Sequence, residues 1–267
     1  MEVLGYTAAL LIGLSLGLTG SGGSILTVPI LVYLLRLNPV ISMAYSLFVV
    51  GTTSLVGSYR FYQKDLVSFR TALIFGIPSL VTVFLTRRFV IPAIPQHIAT
   101  FNSLVITKDL LLMLLFAVLM IFAAFSMIRK GRQPEPADEK ADNHTPNTAA
   151  LLVQGVLVGL ISGLVGAGGG FLIIPALVLF SKLDMKMAVG TSLLIISANS
   201  LFGFAGDILN YSIDWKFLIL FSMLSVAGIF AGTALSHRIA AYKLKYGFGW
   251  FVLLMGIYIL IKEIFLS

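Results

Sequence analysis

Gly20-Ser21-Gly22-Gly23-Ser24, followed by Pro29, and Gly166-Ala167-Gly168-Gly169-Gly170, followed by Pro175, interrupt two long apolar runs in the same way. Each glycine costs a helix roughly 1 kcal/mol relative to alanine, so several together predict a break. A second apolar segment follows each break, and the N–H groups of its first turn point back into the glycine stretch. In water such a break is an ordinary loop. In a bilayer, irregular backbone survives only where protein buries it or where it lines a wet cavity. A helix N-terminus facing such a cavity presents free donors and partial positive charge, the local chemistry of an anion site.

The surrounding chain reads as membrane protein. Of its 267 residues, 58% are hydrophobic and only 11% charged, the mean hydropathy is +1.02, and the apolar runs approach the ~20 residues that cross a hydrocarbon core. A formal charge of +7 suggests nucleic acid in a soluble protein; here the basic residues lie between apolar runs, as membrane flanks do, so no nucleic-acid partner is expected. Cysteine is absent, which removes disulfides, thiolate chemistry and Cys metal sites. Met1-Glu2-Val3 brings no basic residue ahead of the first apolar run, so that run is expected to be a retained span rather than a signal peptide.

Ten apolar segments follow in order, near 3–19, 24–36, 40–59, 69–91, 109–128, 149–165, 170–181, 186–206, 215–236 and 244–266. Residues 129–148 differ in kind: Arg129, Pro134, Glu135, Pro136, Asp138, Lys140, Asp142 and Pro146 mark a solvated linker. It divides the chain into a first transmembrane repeat, 1–128, and a second, 149–267. At an offset of 146 residues, Gly13, Gly17, Gly20, Gly22, Gly23 and Pro29 fall on Gly159, Gly163, Gly166, Gly168, Gly169 and Pro175 without a gap. Ser46 meets Ser192, Ser54 meets Ser200, and Gly57 meets Gly203. Apolar composition alone does not align glycines, prolines and serines, so the halves read as a duplication.

If the two runs flanking each break make an even number of crossings, each half crosses an odd number of times and the repeats are inverted. With the linker in the cytoplasm, twelve of the eighteen Lys and Arg residues then lie inside and six, Arg36, Arg87, Arg88, Lys108, Lys216 and Lys262, outside. Parallel repeats give nine against nine, so the positive-inside rule favours inversion. The expected fold is an all-α polytopic membrane protein of eight to ten membrane segments, in two inverted halves with broken or re-entrant helices at the glycine motifs.

The candidate substrate-binding residues are Gly20, Ser21, Gly22, Gly23 and Ser24 in the first break and Gly166, Gly168, Gly169 and Gly170 in the second. Hydroxyls and an amide on the following spans join them: Thr52, Thr53, Thr191, Ser192 and Asn199, within the clusters Tyr45-Ser46, Thr52-Thr53-Ser54, Thr191-Ser192 and Ser197-Ala198-Asn199-Ser200. Two plainer readings compete. The glycines permit close helix packing, the reading adopted for Gly13, Gly17, Gly159 and Gly163, and the hydroxyls bond back to their own helices. Neither break carries the Lys-Ser/Thr of a phosphate loop. Arg60 and Asp207 stand at helix rims, so the expected anion site has no fixed counter-charge, and no carboxylate is expected to relay protons. The three histidines, His97, His144 and His237, fall in loops or at span ends, where no triad or metal cluster assembles. No enzyme activity, metal or cofactor is expected.

Gly17-Leu18-Thr19-Gly20-Ser21-Gly22-Gly23 with Pro29, Gly163-Leu164-Val165-Gly166-Ala167-Gly168-Gly169-Gly170 with Pro175, and Gly190-Thr191-Ser192-Leu193 resemble the TauE/SafE sulfite exporter family, also called the toluene sulfonate uptake permeases. The resemblance covers both halves. It implies a permease in a prokaryotic inner membrane for a small inorganic or organic sulfur anion such as sulfite, with export the expected direction. Uptake of thiosulfate, an organosulfonate or another small anion is the alternative, and a non-transport membrane scaffold is the rival of another class. Self-association into a homo-oligomer is left open.

Overall fold

The computed structural model describes residues 2–19, 22–101, 104–130, 148–181, 183, 185–236 and 241–265. Five helical segments form each half. In the first they are α1 (Glu2–Thr19), α2 (Gly23–Leu34), α3 (Pro39–Tyr62), α4 (Phe69–Ala93) and α5 (Lys108–Lys130). In the second they are α6 (Thr148–Val165), α7 (Gly170–Phe180), α8 (Met185–Ile208), α9 (Trp215–Ser236) and α10 (Ala241–Phe265). Seven of them are long and apolar enough to cross a bilayer; α1, α2 and α7 are shorter or less regular. The protein is an α-helical, multi-pass integral membrane protein. Its one departure from helix among the described residues is a two-stranded antiparallel hairpin, β1 (His97–Phe101) with β2 (Leu104–Thr107). The β-branched run Val105-Ile106-Thr107 suits a strand, and the Lys108 N–H closes the hairpin base by donating to Gln96 O at 3.1 Å.

Polar caps set where the helices begin. Asn38 Oδ1 accepts from Val40 N at 2.9 Å ahead of Pro39, which needs no N–H partner of its own. Ser68 caps α4, and Asp214 Oδ1 accepts from Phe217 N at 3.1 Å at the start of α9. Two segments depart from α geometry. α2 runs through a 3-10 turn, one α turn and a π turn over Ile30–Leu34, and α4 carries a π turn over Thr86–Val90. π turns inside helices recur at functional sites.

The helix pairs repeat when the halves are exchanged: α1 packs on α9 as α6 packs on α4, while α3 meets α8 and α5 meets α10. Along α3 and α8, Leu47 meets Gly203, Gly51 meets Leu201, Gly57 meets Leu193 and Phe61 meets Gly190, so the two run antiparallel. α5 and α10 are antiparallel as well, with Gly249 against Ile128 and Gly256 against Ile121. By contrast α4, α6 and α8 share one direction, since Gly155 meets Phe75, Gly163 meets Thr86 and Gly203 meets Val83. α3 and α8 occupy the centre: their spans are 72% and 67% buried, against 22% for α10. Around them α4, α5, α6 and α10 turn outward Phe89, Phe122, Val153 and Leu254, all exposed, as a lipid-facing belt requires.

Small residues bring backbones together where α1 meets α9 and α4 meets α6. A Cβ on Gly13 would strike the Ser225 carbonyl, one on Gly228 the Leu10 carbonyl, and one on Gly159 the Ser79 carbonyl at 2.5 Å. This is the close packing that small-xxx-small spacing gives in membranes. Backbone cannot give way as a flexible side chain does, so Gly13→Leu or Gly228→Leu is expected to cost at least about 3 kcal/mol, the upper end of ordinary overpacking. Thermal unfolding in detergent checks it, with Gly247→Ala, which meets nothing within 4 Å, as the variant that should leave the melting temperature in place.

Candidate anion site

The second glycine stretch is the better described of the two. α6 ends at Val165, α7 begins at Gly170, and Gly166, Gly168 and Gly169 between them have φ of +70°, +70° and +68°. Only glycine adopts that backbone readily, so the residue type follows from the turn. Gly169 is the N-cap of α7 and supplies no side-chain acceptor to the first-turn N–H groups. In the first half Gly22 opens a 3-10 turn and Gly23 folds back onto Ser15 and Leu16 of α1, as Gly169 folds onto Ser162 of α6. Ser24 is fully buried. Gly20 and Ser21 lie outside the described residues, as do His144, His237 and most of the linker.

Gly168 sits beside Val50 and Ile196, each the twelfth residue of a 24-residue helix, and therefore halfway along α3 and α8. Ser200 Oγ lies 2.6 Å from where a Cβ on Gly168 would be. Among the described residues the buried Ser200 hydroxyl makes no hydrogen bond, and the same holds for Ser54, its equivalent on α3, and for Ser46. Asn199 Nδ2 donates to Ser79 Oγ at 2.6 Å, which ties α8 to α4, and its Oδ1 has no partner among the described residues.

The remaining candidates are engaged elsewhere. Thr52 Oγ1 donates to Phe48 O at 2.9 Å, Thr53 Oγ1 to Val49 O at 2.6 Å and Ser192 Oγ to Val189 O at 2.8 Å. Each hydroxyl bonds back to the preceding turn of its own helix. Thr191 Oγ1 accepts from Ser68 N at 2.9 Å, and at the equivalent position Tyr45 Oη accepts from Asp214 N at 2.8 Å. Ser68 and Asp214 are themselves an equivalent pair, 146 residues apart, so residues 45 and 191 perform one task in the two halves: Tyr45 of α3 anchors the start of α9, and Thr191 of α8 anchors the start of α4.

Two charges correct the reading of a site without a fixed counter-charge. Arg87 and Asp207 are both 0% exposed, with Arg87 Nη1 and Asp207 Oδ2 3.3 Å apart. Asp207 stands one residue from the end of α8, and burial rather than sequence position sets its environment. A Cβ on Gly166 would strike Arg87 Nη2, so the guanidinium lies directly against the glycine stretch. Nε, Nη1 and Nη2 of Arg87 and both oxygens of Asp207 make no hydrogen bond of acceptable geometry among the described residues. Lys108 is only 3% exposed and lies within electrostatic reach of both charges. Arg87 and Lys108 are thus withdrawn from the solvent where a count of loop charges places them. At the opposite end Arg60 donates to Thr233 Oγ1 at 3.2 Å and lies over the Phe230 ring at 4.4 Å, in an exposed setting. Thr233 is the equivalent of Arg87 and Phe61 that of Asp207, so the buried ion pair exists on one side only.

A buried cation against a loop of left-handed glycines, beside an uncapped helix N-terminus, is chemistry for an anion. Among the described residues no group of three or more metal-ligating side chains assembles. Residues 6–259 match the profile of the sulfite exporter TauE/SafE family. The chain belongs to that family. It is 31% identical over 257 residues to a probable membrane transporter protein of Xylella fastidiosa, covering 94% of this chain and 91% of that one. It is 25% identical to the probable membrane transporter protein YunE of Bacillus subtilis, over 88% and 89% of the two chains. A probable membrane transporter protein of Methanocaldococcus jannaschii is 28% identical over 73% of this chain and 69% of its own. No solved structure matches. This TauE/SafE member is a membrane transporter.

The paired anchors separate structural hydroxyls from the rest. Tyr45→Phe and Thr191→Val each leave one helix-start N–H without its acceptor and are expected to lower stability by about 1 kcal/mol. Thr191→Ser, which keeps the acceptor, should return most of it in the same thermal-unfolding assay.

Proposed function

We propose that this permease moves a small sulfur-containing oxyanion such as sulfite across a prokaryotic cytoplasmic membrane. It does so by alternating access around a site between the two halves, with export or uptake set by the prevailing gradients. The observation that carries the reading is the Arg87 guanidinium, buried against Gly166 with its nitrogens free of hydrogen bonds among the described residues. A planar guanidinium offers several donors in a fixed fork that matches oxyanion geometry. The α7 N-terminus and the Ser200 hydroxyl supply further donors deeper along the same stretch. The family description points to sulfur among the oxyanions.

The mechanism follows from inverted repeats. Antiparallel contacts along α3 with α8 and along α5 with α10 support two halves related by a two-fold axis in the membrane plane. Each half then crosses the membrane an odd number of times, the linker lies in the cytoplasm, and the Arg87 end faces outward. Rocking one half against the other exposes the glycine stretches to each side in turn.

Thermal unfolding of the detergent-purified protein against sulfite, thiosulfate, sulfate, sulfoacetate, acetate and chloride tests the substrate class. At about one hundred times its Kd a bound anion stabilises the folded state by about 2.7 kcal/mol. One or more of the sulfur oxyanions should raise the melting temperature while chloride and acetate do not, and Gly168→Leu and Arg87→Gln should each abolish the rise. Equal stabilisation by acetate or chloride would remove the sulfur assignment.

A further inference from the structure

Arg87 and Asp207 form an unusual pair. Two opposite charges buried without water normally satisfy their remaining donors and acceptors with other hydrogen bonds. Here the two atoms in contact stand at 3.3 Å, and none of the five polar atoms of the two side chains makes a hydrogen bond of good geometry among the described residues. The carboxylate therefore neutralises the guanidinium without locking it. It also stands where an oxyanion drawn to Arg87 would have to stand, and its counterpart in the first half is the apolar Phe61. An anion and an ionised Asp207 are thus competitors for one cation.

Resting on the anion-site reading above, we propose that Asp207 is a proton-dependent stand-in for the transported anion. Ionised, it occupies Arg87; protonated, it yields Arg87 to the substrate, so one proton enters the site with each anion and leaves with it. The proton forms an O–H bond on an Asp207 oxygen, and the substrate replaces the lost negative charge beside Arg87; a monoanion leaves the charge of the buried site unchanged, and a dianion makes it one unit more negative. No other bond is made or broken.

The groups facing the pair are few. Lys108 and Asp109 come from the start of α5, with Asp109 Oδ2 taken by Asn38 Nδ2 at 3.0 Å. Tyr211 follows α8 and feels both charges. Arg88 on the same π turn donates to Asn210 Oδ1 at 2.7 Å and so does not compete for Asp207. The segment of α6 packed against this turn brings no ionisable side chain. Under an inward proton gradient this coupling favours uptake.

Sulfate and thiosulfate stay fully ionised between about pH 5 and 8, so their own titration does not enter. Their affinity for the purified protein, measured by calorimetry, should fall as pH rises, approaching about tenfold per pH unit for one linked proton. Asp207→Asn should bind them with no slope, and Asp207→Glu should restore the slope. Arg87→Gln/Asp207→Asn, which leaves no unpaired buried charge, should be monodisperse and bind neither anion, so that folding and binding are read separately. In proteoliposomes holding a pH-sensitive dye, anion entry should acidify the lumen for the wild-type protein. A flat wild-type pH profile, a slope that persists in Asp207→Asn, or anion entry without acidification overturns the coupling and leaves the permease standing. Failure of the wild-type protein to bind or move any of the six anions overturns both.

Discussion

Backbone that leaves helical geometry inside a bilayer has no water to satisfy it, and the fold depends on meeting that constraint twice. The two glycine stretches are tolerated because α3, α4 and α8 enclose the second, and α1 folds back against the first. Val50 and Ile196 both lie against Gly168, each at the midpoint of its helix. That enclosure explains why α3 and α8 are the most buried spans, and why α7 can be only 11 residues long in a protein with seven helices long enough to cross a membrane. The interruption lies in the interior because the exterior could not tolerate it.

Exchange of the halves preserves the scaffold and alters the chemistry. Tyr45 with Asp214 and Thr191 with Ser68 are different residues making the same bond to the same backbone group. Helix starts are fixed by geometry, and a phenol or a small hydroxyl serves if its oxygen arrives. At the positions of Arg87 and Asp207 the equivalents are Thr233 and Phe61, so a buried ion pair on one side faces an exposed Arg60–Thr233 contact on the other. A transporter with identical mouths has no means of treating its two compartments differently. The differences at Arg87, Asp207, Phe61 and Thr233, at the ends of α4, α8, α3 and α9, leave the helix packing intact.

Most of the architecture was legible because hydrocarbon imposes simple rules. All ten apolar segments became helices within a few residues of the expected bounds. Residues 94–107 were left unassigned, although their β-branched content carried a strand signal. The polar clusters were half legible. Asn199 does bridge helices, but Thr52, Thr53 and Ser192 bond to their own backbone, and sequence cannot tell a hydroxyl that faces a neighbour from one that faces the turn below. Arg87 was misread because Arg87-Arg88 after an apolar run looks like a membrane flank. Only the π turn that carries α4 on to Ala93 shows Arg87 turning inward while Arg88 reaches Asn210. Alignment of the halves did hold the missing signal: an acid and a base of opposite sign, each lacking a charged counterpart at offset 146, on two helices that run together.

An ion pair is a poor means of holding helices together in such an interior. Desolvation of two charges costs several kcal/mol per ion, and contact in a low-dielectric medium offsets that cost only with good geometry and full hydrogen bonding. A pair of apolar side chains of similar volume meets the structural need of such a contact. Retention of Arg87 and Asp207 without those hydrogen bonds therefore calls for a use that apolar packing cannot supply. Exchange is such a use. A charge held loosely by an internal carboxylate can be handed to an external oxyanion at small net cost, because the desolvation of the guanidinium is already met in the unliganded fold. Firmer hydrogen bonding would stabilise the pair and slow such an exchange, so the loose geometry suits the exchange proposed above.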